Sequence, residues 1–161
     1  MATVDYFLKI DGIAGESQDS KHKGEIELES FSWGATQAGG TGGGGGGGAG
    51  KVQMQDFHFV MTVNKASPKL FLACASGQHL KDATFVARKA GKDQQEFLLY
   101  KFTDVLVSSY QTGGSGGDVL PMDQISINFA RIEIEFRPQK ADGSLGAPEK
   151  GGWDVKKNKP V

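Results

Sequence analysis

Ile125–Phe136, ISINFARIEIEF, alternates apolar and polar residues along its whole length, with one slip of phase. Ile125, Ile127 and Phe129 occupy one parity, and Ile132, Ile134 and Phe136 occupy the other. A period of two is the signature of a half-buried strand, because successive side chains point to opposite faces of a sheet. The same slip occurs twice more: Ile26 and Leu28 give way to Phe31 and Trp33, and Val52 and Met54 give way to Phe57, Phe59, Met61 and Val63. One extra residue in a strand is what a β-bulge supplies, and bulges let long strands bend around a barrel corner. The three slips therefore predict a closed antiparallel β-barrel, with an open sandwich of irregular strands as the alternative.

The other alternating runs fit an all-β chain. They are Thr3–Ile10, Gly24–Gly34, Lys51–Val63, Ala83–Lys89, Glu96–Tyr110 and Asp123–Arg137, each bounded by Gly, Asp, Ser or Pro, with a last short strand around Trp153–Lys156. One segment departs from the period. In SPKLFLACASG, Ser67–Gly77, a serine stands at the expected N-cap, a proline at the first helical position and a glycine just past the end. That predicts one short helix on the flank of the barrel. Glu96–Tyr110 carries apolar groups on both faces, so one face can fill the barrel while the other needs cover from the helix or from another subunit. The whole chain, 1–161, reads as a single domain.

Composition narrows the functional classes. Lys+Arg number 18 against 19 Asp+Glu, which argues against a nucleic-acid or anionic-membrane surface built on bulk charge. Cys74 is the single cysteine, so no internal disulfide can form, and the N-terminus lacks the basic and apolar regions of a secretory signal. The longest clean apolar run, Leu70–Ala75, is too short to cross a bilayer.

Several motifs resemble chemistry without its context. Gly45–Lys51 fits the G-x-x-x-x-G-K of a phosphate loop, but Val52 replaces the required Ser or Thr and a strand pattern follows where a helix should begin. Gly113–Gly117 fits G-x-S-x-G around Ser115, but the pattern beyond it is another strand, so a serine hydrolase is disfavoured. His22, His58, His79 and Cys74 have no zinc-site spacing; His22 reads as part of a solvated turn and His58 as structural. Tyr6, Phe31, Trp33 and Trp153 could stack on a base or sugar, but without a basic groove they read as core and rim. The run Gly39–Gly50, GGTGGGGGGGAG, holds ten of the 24 glycines between two strand patterns of one set. It therefore reads as a long inter-strand loop whose ordering, costly in entropy, would come with partner binding.

The order and spacing of YFLKIDGIAGESQDSKHKGEIELESFSWG (Tyr6–Gly34), the glycine run, GKVQMQDF (Gly50–Phe57), SPKLFLACASGQH (Ser67–His79), VLVSSYQTGGSGGD (Val105–Asp118), ISINFARIEIEFRPQKADG (Ile125–Gly143) and GGWDVKKNK (Gly151–Lys159) carry a resemblance. Together they resemble the haemolysin-coregulated protein (Hcp) family, the tube protein of bacterial type VI secretion systems. The resemblance implies a β-barrel with one helix that assembles as a homo-hexamer, its rings stacking into an inner tube and its channel carrying and protecting small effectors. It implies contact with the effectors and with the sheath and spike proteins of the same system, but no nucleic acid, no membrane insertion, no cofactor, no metal and no enzymatic activity. It also implies synthesis in the cytoplasm followed by secretion to the outside or into a target cell. The chain ends at Val161, so no C-terminal toxin domain is expected. Three site assignments follow: Ser32 on the channel wall, Gly42, Gly43, Gly44, Gly45, Gly46, Gly47 and Gly48 as a ring-stacking loop, and Leu106 at a subunit interface. The alternative class is a free-standing β-barrel module that binds nucleic acid or glycan.

Overall fold

The computed structural model describes residues 3–37, 51–91, 93–117 and 120–161. It is mainly β with one helix. In chain order the elements are β1 (Val4–Ile10), β2 (Ile26–Leu28), β3 (Ser30–Ser32), β4 (Ala35–Gln37), β5 (Val52–Met54), β6 (Phe57–Thr62), α1 (Ser67–Ser76), β7 (His79–Lys89), β8 (Glu96–Gly113), β9 (Met122–Phe136), β10 (Glu149–Asp154) and β11 (Lys159–Pro160). The long antiparallel path runs β11-β10-β9-β8-β7-β1-β2, with β6 also paired to β9 and β3 to β6; β4 and β5 pair as a separate ribbon.

β9 organises this sheet. It pairs with β8 from Met122 to Phe136, with β6 over Met122–Ile127 on its other edge, and with β10 over Arg131–Phe136 on that same edge. Its inward residues Ile125, Ile127 and Ile132 are buried against Phe57, Phe59, Phe85 and Phe102, each wholly excluded from solvent. The rings meet at tilted angles, Phe57–Phe102 at 4.9 Å and Phe57–Phe85 at 5.4 Å between centroids, the offset geometry that aromatic quadrupoles favour.

The three phase slips resolve in different ways. At the first, the expected long strand Gly24–Gly34 divides at Glu29: β2 pairs with β1 (Leu28↔Tyr6), β3 pairs with β6 (Phe31↔Phe59), and the Glu29 amide donates to the Val60 carbonyl at 2.8 Å. At the second, Lys51–Val63 divides at Gln55–Asp56 into β5 and β6. The third slip corrects the expectation. No bulge interrupts β9 there, because β8 carries the matching slip from Phe102 to Val105 and the register is unchanged from Phe102↔Ile132 to Val105↔Phe129. Both strands change their buried parity together, beside Asp104 at φ 56°. The inserted residue of this ladder is Ser108, between Val107 and Ser109, where the register does shift. Other element bounds also differ: β7 begins at His79 rather than Ala83, β8 runs on to Gly113 rather than ending at Tyr110, and the short strand expected around Trp153–Lys156 is a hairpin of β10, which begins at Glu149, and β11.

The helix spans the expected residues and ends on Gly77 in the left-handed conformation, φ 67°. Its N-cap, however, is Ala66, with no side-chain capping bond. Ser67 is drawn away from the capping role because its hydroxyl donates to Asp123 Oδ2 at 2.6 Å, while Tyr110 donates to Asp123 Oδ1 at 3.2 Å. This wholly buried carboxylate ties the start of α1 to β8 and β9. Burial first, and the Asp123 charge second, push the Tyr110 phenol above its ordinary pKa. α1 packs on β8 and buries Leu70 and Ala73 in the same core cluster as Phe102, Val105 and Val107.

A loop with little regular structure joins β1 to β2 and is pinned at Gly15, whose amide donates to the Gly24 carbonyl at 2.8 Å. A Cβ on Gly15 would collide with the Glu25 carbonyl and lie 2.8 Å from Ile26 Cα, backbone that cannot swing aside. Gly15→Ala is therefore expected to destabilise the protein by about 1–3 kcal/mol, read as a fall in thermal midpoint. An unchanged midpoint would show that the loop shifts freely.

Candidate functional site

Alternation along β3, β6, β9 and β8 sends one set of side chains into the core and the other outward. Ser32 pairs with His58, and His58 with Ser126, so these three share one row across three strands. The rows beside them add Ser30 and Val60 on one side and Asn128 and Leu106 on the other. Ser30, Ser32, Gln124 and Asn128 are exposed, while His58, Val60, Ser126 and Leu106 are half-buried. Among the outward residues of β3, β6 and Met122–Asn128, His58 is the only one that can ionise.

Hydrogen bonds tie the face together. His58 Nδ1 lies 3.0 Å from Ser126 Oγ. At the margin, Ser108 donates to Asp56 Oδ2 at 2.5 Å and Asn128 donates to Asp56 Oδ1 at 3.0 Å, so both carboxylate oxygens are engaged. The face offers hydroxyls, amides and one imidazole, a set suited to hydrogen bonding. No carboxylate orients the His58 ring, and no group of three His, Cys, Asp or Glu able to hold a metal forms among the described residues.

Ser32 stands exposed while its neighbours Phe31 and Trp33 pack on the core, as the alternation required. Leu106 is half-buried on the same outward face as Ser32, so the two assignments that the sequence reading kept apart lie on one surface. Gly42–Gly48 lie outside the described residues. The flanks of the glycine run are antiparallel neighbours, Gln37↔Val52 through Ala35↔Met54, which places both in one ribbon. Lys51 leads into β5 and not a helix, and β9 is the next element after Ser115, so neither the phosphate loop nor the nucleophile elbow has its required helix.

A second cluster escaped the sequence reading. His22 is 6% exposed and not part of a solvated turn. Its ring stacks on Phe7 at 4.2 Å and an interplanar angle of 10°, with Nδ1 3.0 Å from Glu25 Oε2 and Nε2 2.6 Å from Glu96 Oε1. Beside it, buried Arg88 donates to Asp19 at 2.7 and 3.0 Å and to Asp5 at 3.2 Å, with its guanidinium 4.8 Å above the Phe7 ring. The Arg88 hydrogen bond, reinforced by the Lys21 amide, holds the Asp19 carboxyl far below the usual carboxylate range. The spacing of His22 and Glu25 was visible in the sequence, whereas Glu96 and Arg88 reach the loop only through the sheet. These groups anchor the loop between β1 and β2.

With this geometry established, comparison with known proteins gives consistent results. A family model described as "Type VI secretion system effector, Hcp" matches residues 7–136. The chain is 45% identical over 157 residues to "Protein hcp1" of Pseudomonas aeruginosa, covering 96% of this chain and 97% of that protein. Among solved structures, it is similar to the crystal structure of Hcp1 from Salmonella typhimurium, with a TM-score of 0.83 and 35% identity over 99% of this chain and all of that one. It is also similar to a structure described as that of a type six secretion system protein, with a TM-score of 0.91 and 34% identity over 98% of this chain and 99% of the other.

The Asp19–Arg88 pair predicts a sensitivity to acid. The folded pKa of Asp19 is depressed, so its contribution is fully present above the unfolded carboxylate range and is lost as pH falls through the folded value. Asp19→Asn is expected to cost about 3 kcal/mol at neutral pH, since it leaves a buried guanidinium with one partner fewer. In urea melts the difference from the parent should shrink towards strongly acidic pH; a difference independent of pH would show that the charge of Asp19 contributes nothing.

Proposed function

Because the chain belongs to the Hcp family of the type VI secretion system, as a tube protein of that system, we propose that six copies close into a ring, that rings stack into the inner tube, and that the channel carries and protects small effectors. The observation that carries this reading is the family match, which spans 7–136 and so includes the whole outward face of β3, β6 and β8 and nearly all the sheet. The role is structural, without catalysis. Made in the cytoplasm, the protein leaves the cell with the tube and meets the sheath and spike proteins on the way.

The pairing order supports a closed barrel. β1 pairs with β2, β3 with β6, β6 with β9, β9 with β8, β8 with β7, and β7 with β1, with only Glu29 between β2 and β3. The neutral outward face around Ser32 is the wall that meets cargo, since hydroxyls accept varied partners without bulk. Leu106 is the subunit contact on the β8 side of that face. Gly42–Gly48 are the ring-stacking loop, a role supported by the composition of the run and by the ribbon that flanks it.

Light scattering tests the assembly: the parent is expected at six times the 17.1 kDa chain mass. A 17.1 kDa particle at micromolar concentration would instead favour a free-standing binding module. Leu106→Asp should dissociate the ring, since an unpaired buried charge costs about 3–5 kcal/mol; an intact ring in this variant would move Leu106 to the channel wall beside Ser32. Ser32→Gln and Ser32→Glu should leave the ring intact while lowering effector levels. Removing about four glycines from Gly42–Gly48 should leave the thermal midpoint nearly unchanged and impair tube growth, because closure entropy varies slowly with loop length. Normal tube growth from the shortened chain would remove the stacking role.

A further inference from the structure

We propose that the face centred on His58 selects uncharged polar segments of its cargo and discriminates against charge of either sign, with His58 as the residue that sets this preference. The inference rests on the reading of the Ser32 face as the surface that meets cargo. Its basis is the chemistry of the row Ser32–His58–Ser126 and its neighbours Ser30, Gln124 and Asn128. Every one of these polar groups except the imidazole is incapable of charge, and together they offer donors and acceptors side by side. That mixture matches peptide amides and the side chains of Ser, Thr, Asn and Gln.

The charged groups nearest the row do not change this. Asp56 stands at one margin, its two oxygens accepting from Ser108 and Asn128, and Glu29 at the opposite margin accepts from the Thr62 hydroxyl at 3.5 Å, so both carboxylates lie beside the row and not in it. A cargo carboxylate or ammonium centred on the row would lose water and find no opposite charge within the row itself, a loss that neutral hydrogen bonds do not repay. A neutral segment exchanges water for equivalent hydrogen bonds at little cost. His58 occupies the middle of the row. Its Nδ1 is engaged by Ser126, and its Nε2 makes no hydrogen bond among the described residues. It is therefore the position at which one added charge would change the character of the whole face.

The test uses the assembled full-length protein and dye-labelled synthetic peptides of equal length, read by fluorescence polarisation. One peptide is built from Gly, Ser and Gln alone; one carries several Asp residues and one several Lys residues in the same background. The neutral peptide is expected to bind about tenfold more tightly than either charged one, because an unmatched desolvated charge is penalised. Raising the salt about tenfold should change its affinity by less than about twofold, because no exposed ion pair is there to be screened. His58→Leu should weaken the neutral peptide about three- to tenfold, the value of one hydrogen bond, and His58→Gln should restore most of it. His58→Lys should turn the preference towards the Asp peptide. A parent protein that prefers either charged peptide, an affinity unmoved by His58→Leu, or no binding of any peptide would overturn the proposal. Failure of the underlying reading looks different: Ser32→Gln would leave peptide binding untouched while the His58 variants still behaved as stated.

Discussion

β9 has no free edge over most of its length, and the rest of the molecule depends on that. Its amides and carbonyls are paired to β8 on one side and to β6 and then β10 on the other. A backbone bonded on both edges cannot slide, because a slip of one residue would turn Ile125, Ile127 and Ile132 out of the core and Ser126 and Asn128 into it. With β9 fixed, β8 is fixed beside it, and through β8 the path continues to β7 and β1. The change of buried parity at Asp104 and Ala130 is tolerated because both strands make it together, so the hydrogen-bond ladder need not break.

Buried polar groups attach the irregular segments to this frame. Asp123 fastens the first turn of α1 through Ser67 and Tyr110. Arg88 and His22, both against the Phe7 ring, fasten the loop between β1 and β2, each through paired carboxylates. Such groups are poor sources of net stability, since their desolvation offsets much of the attraction. What they do supply is position: each has strict partners, and each fails at a cost if the segment moves.

The core and the outward face divide the chemistry of the same strands. Inward residues are aromatic and branched and meet at close range, so they tolerate little change. Outward residues of β3, β6 and the first half of β9 are mostly polar, with Val60 and Met122 among them, and only His58 can ionise. A surface freed in this way from packing duty can be tuned for what it touches.

Local pattern determined much of this protein. Period-two alternation in Thr3–Ile10, Glu96–Tyr110 and Asp123–Arg137 marked the strands, and Pro68 with Gly77 marked the helix, because both signals come from backbone geometry within a few residues. The exposure of Ser32 between Phe31 and Trp33 followed from the same rule. Tertiary structure decided the rest. Whether a phase slip becomes a break, a bulge or a joint change of parity depends on the partner strand, so Ile125–Phe136 alone could not reveal that Phe102–Val105 would match it. The burial of His22 depended on Glu96 and Phe7, and the loss of Ser67 as a cap depended on Asp123. These partners are distant in sequence and adjacent only after the sheet has formed, and no periodicity along one segment records where another will lie.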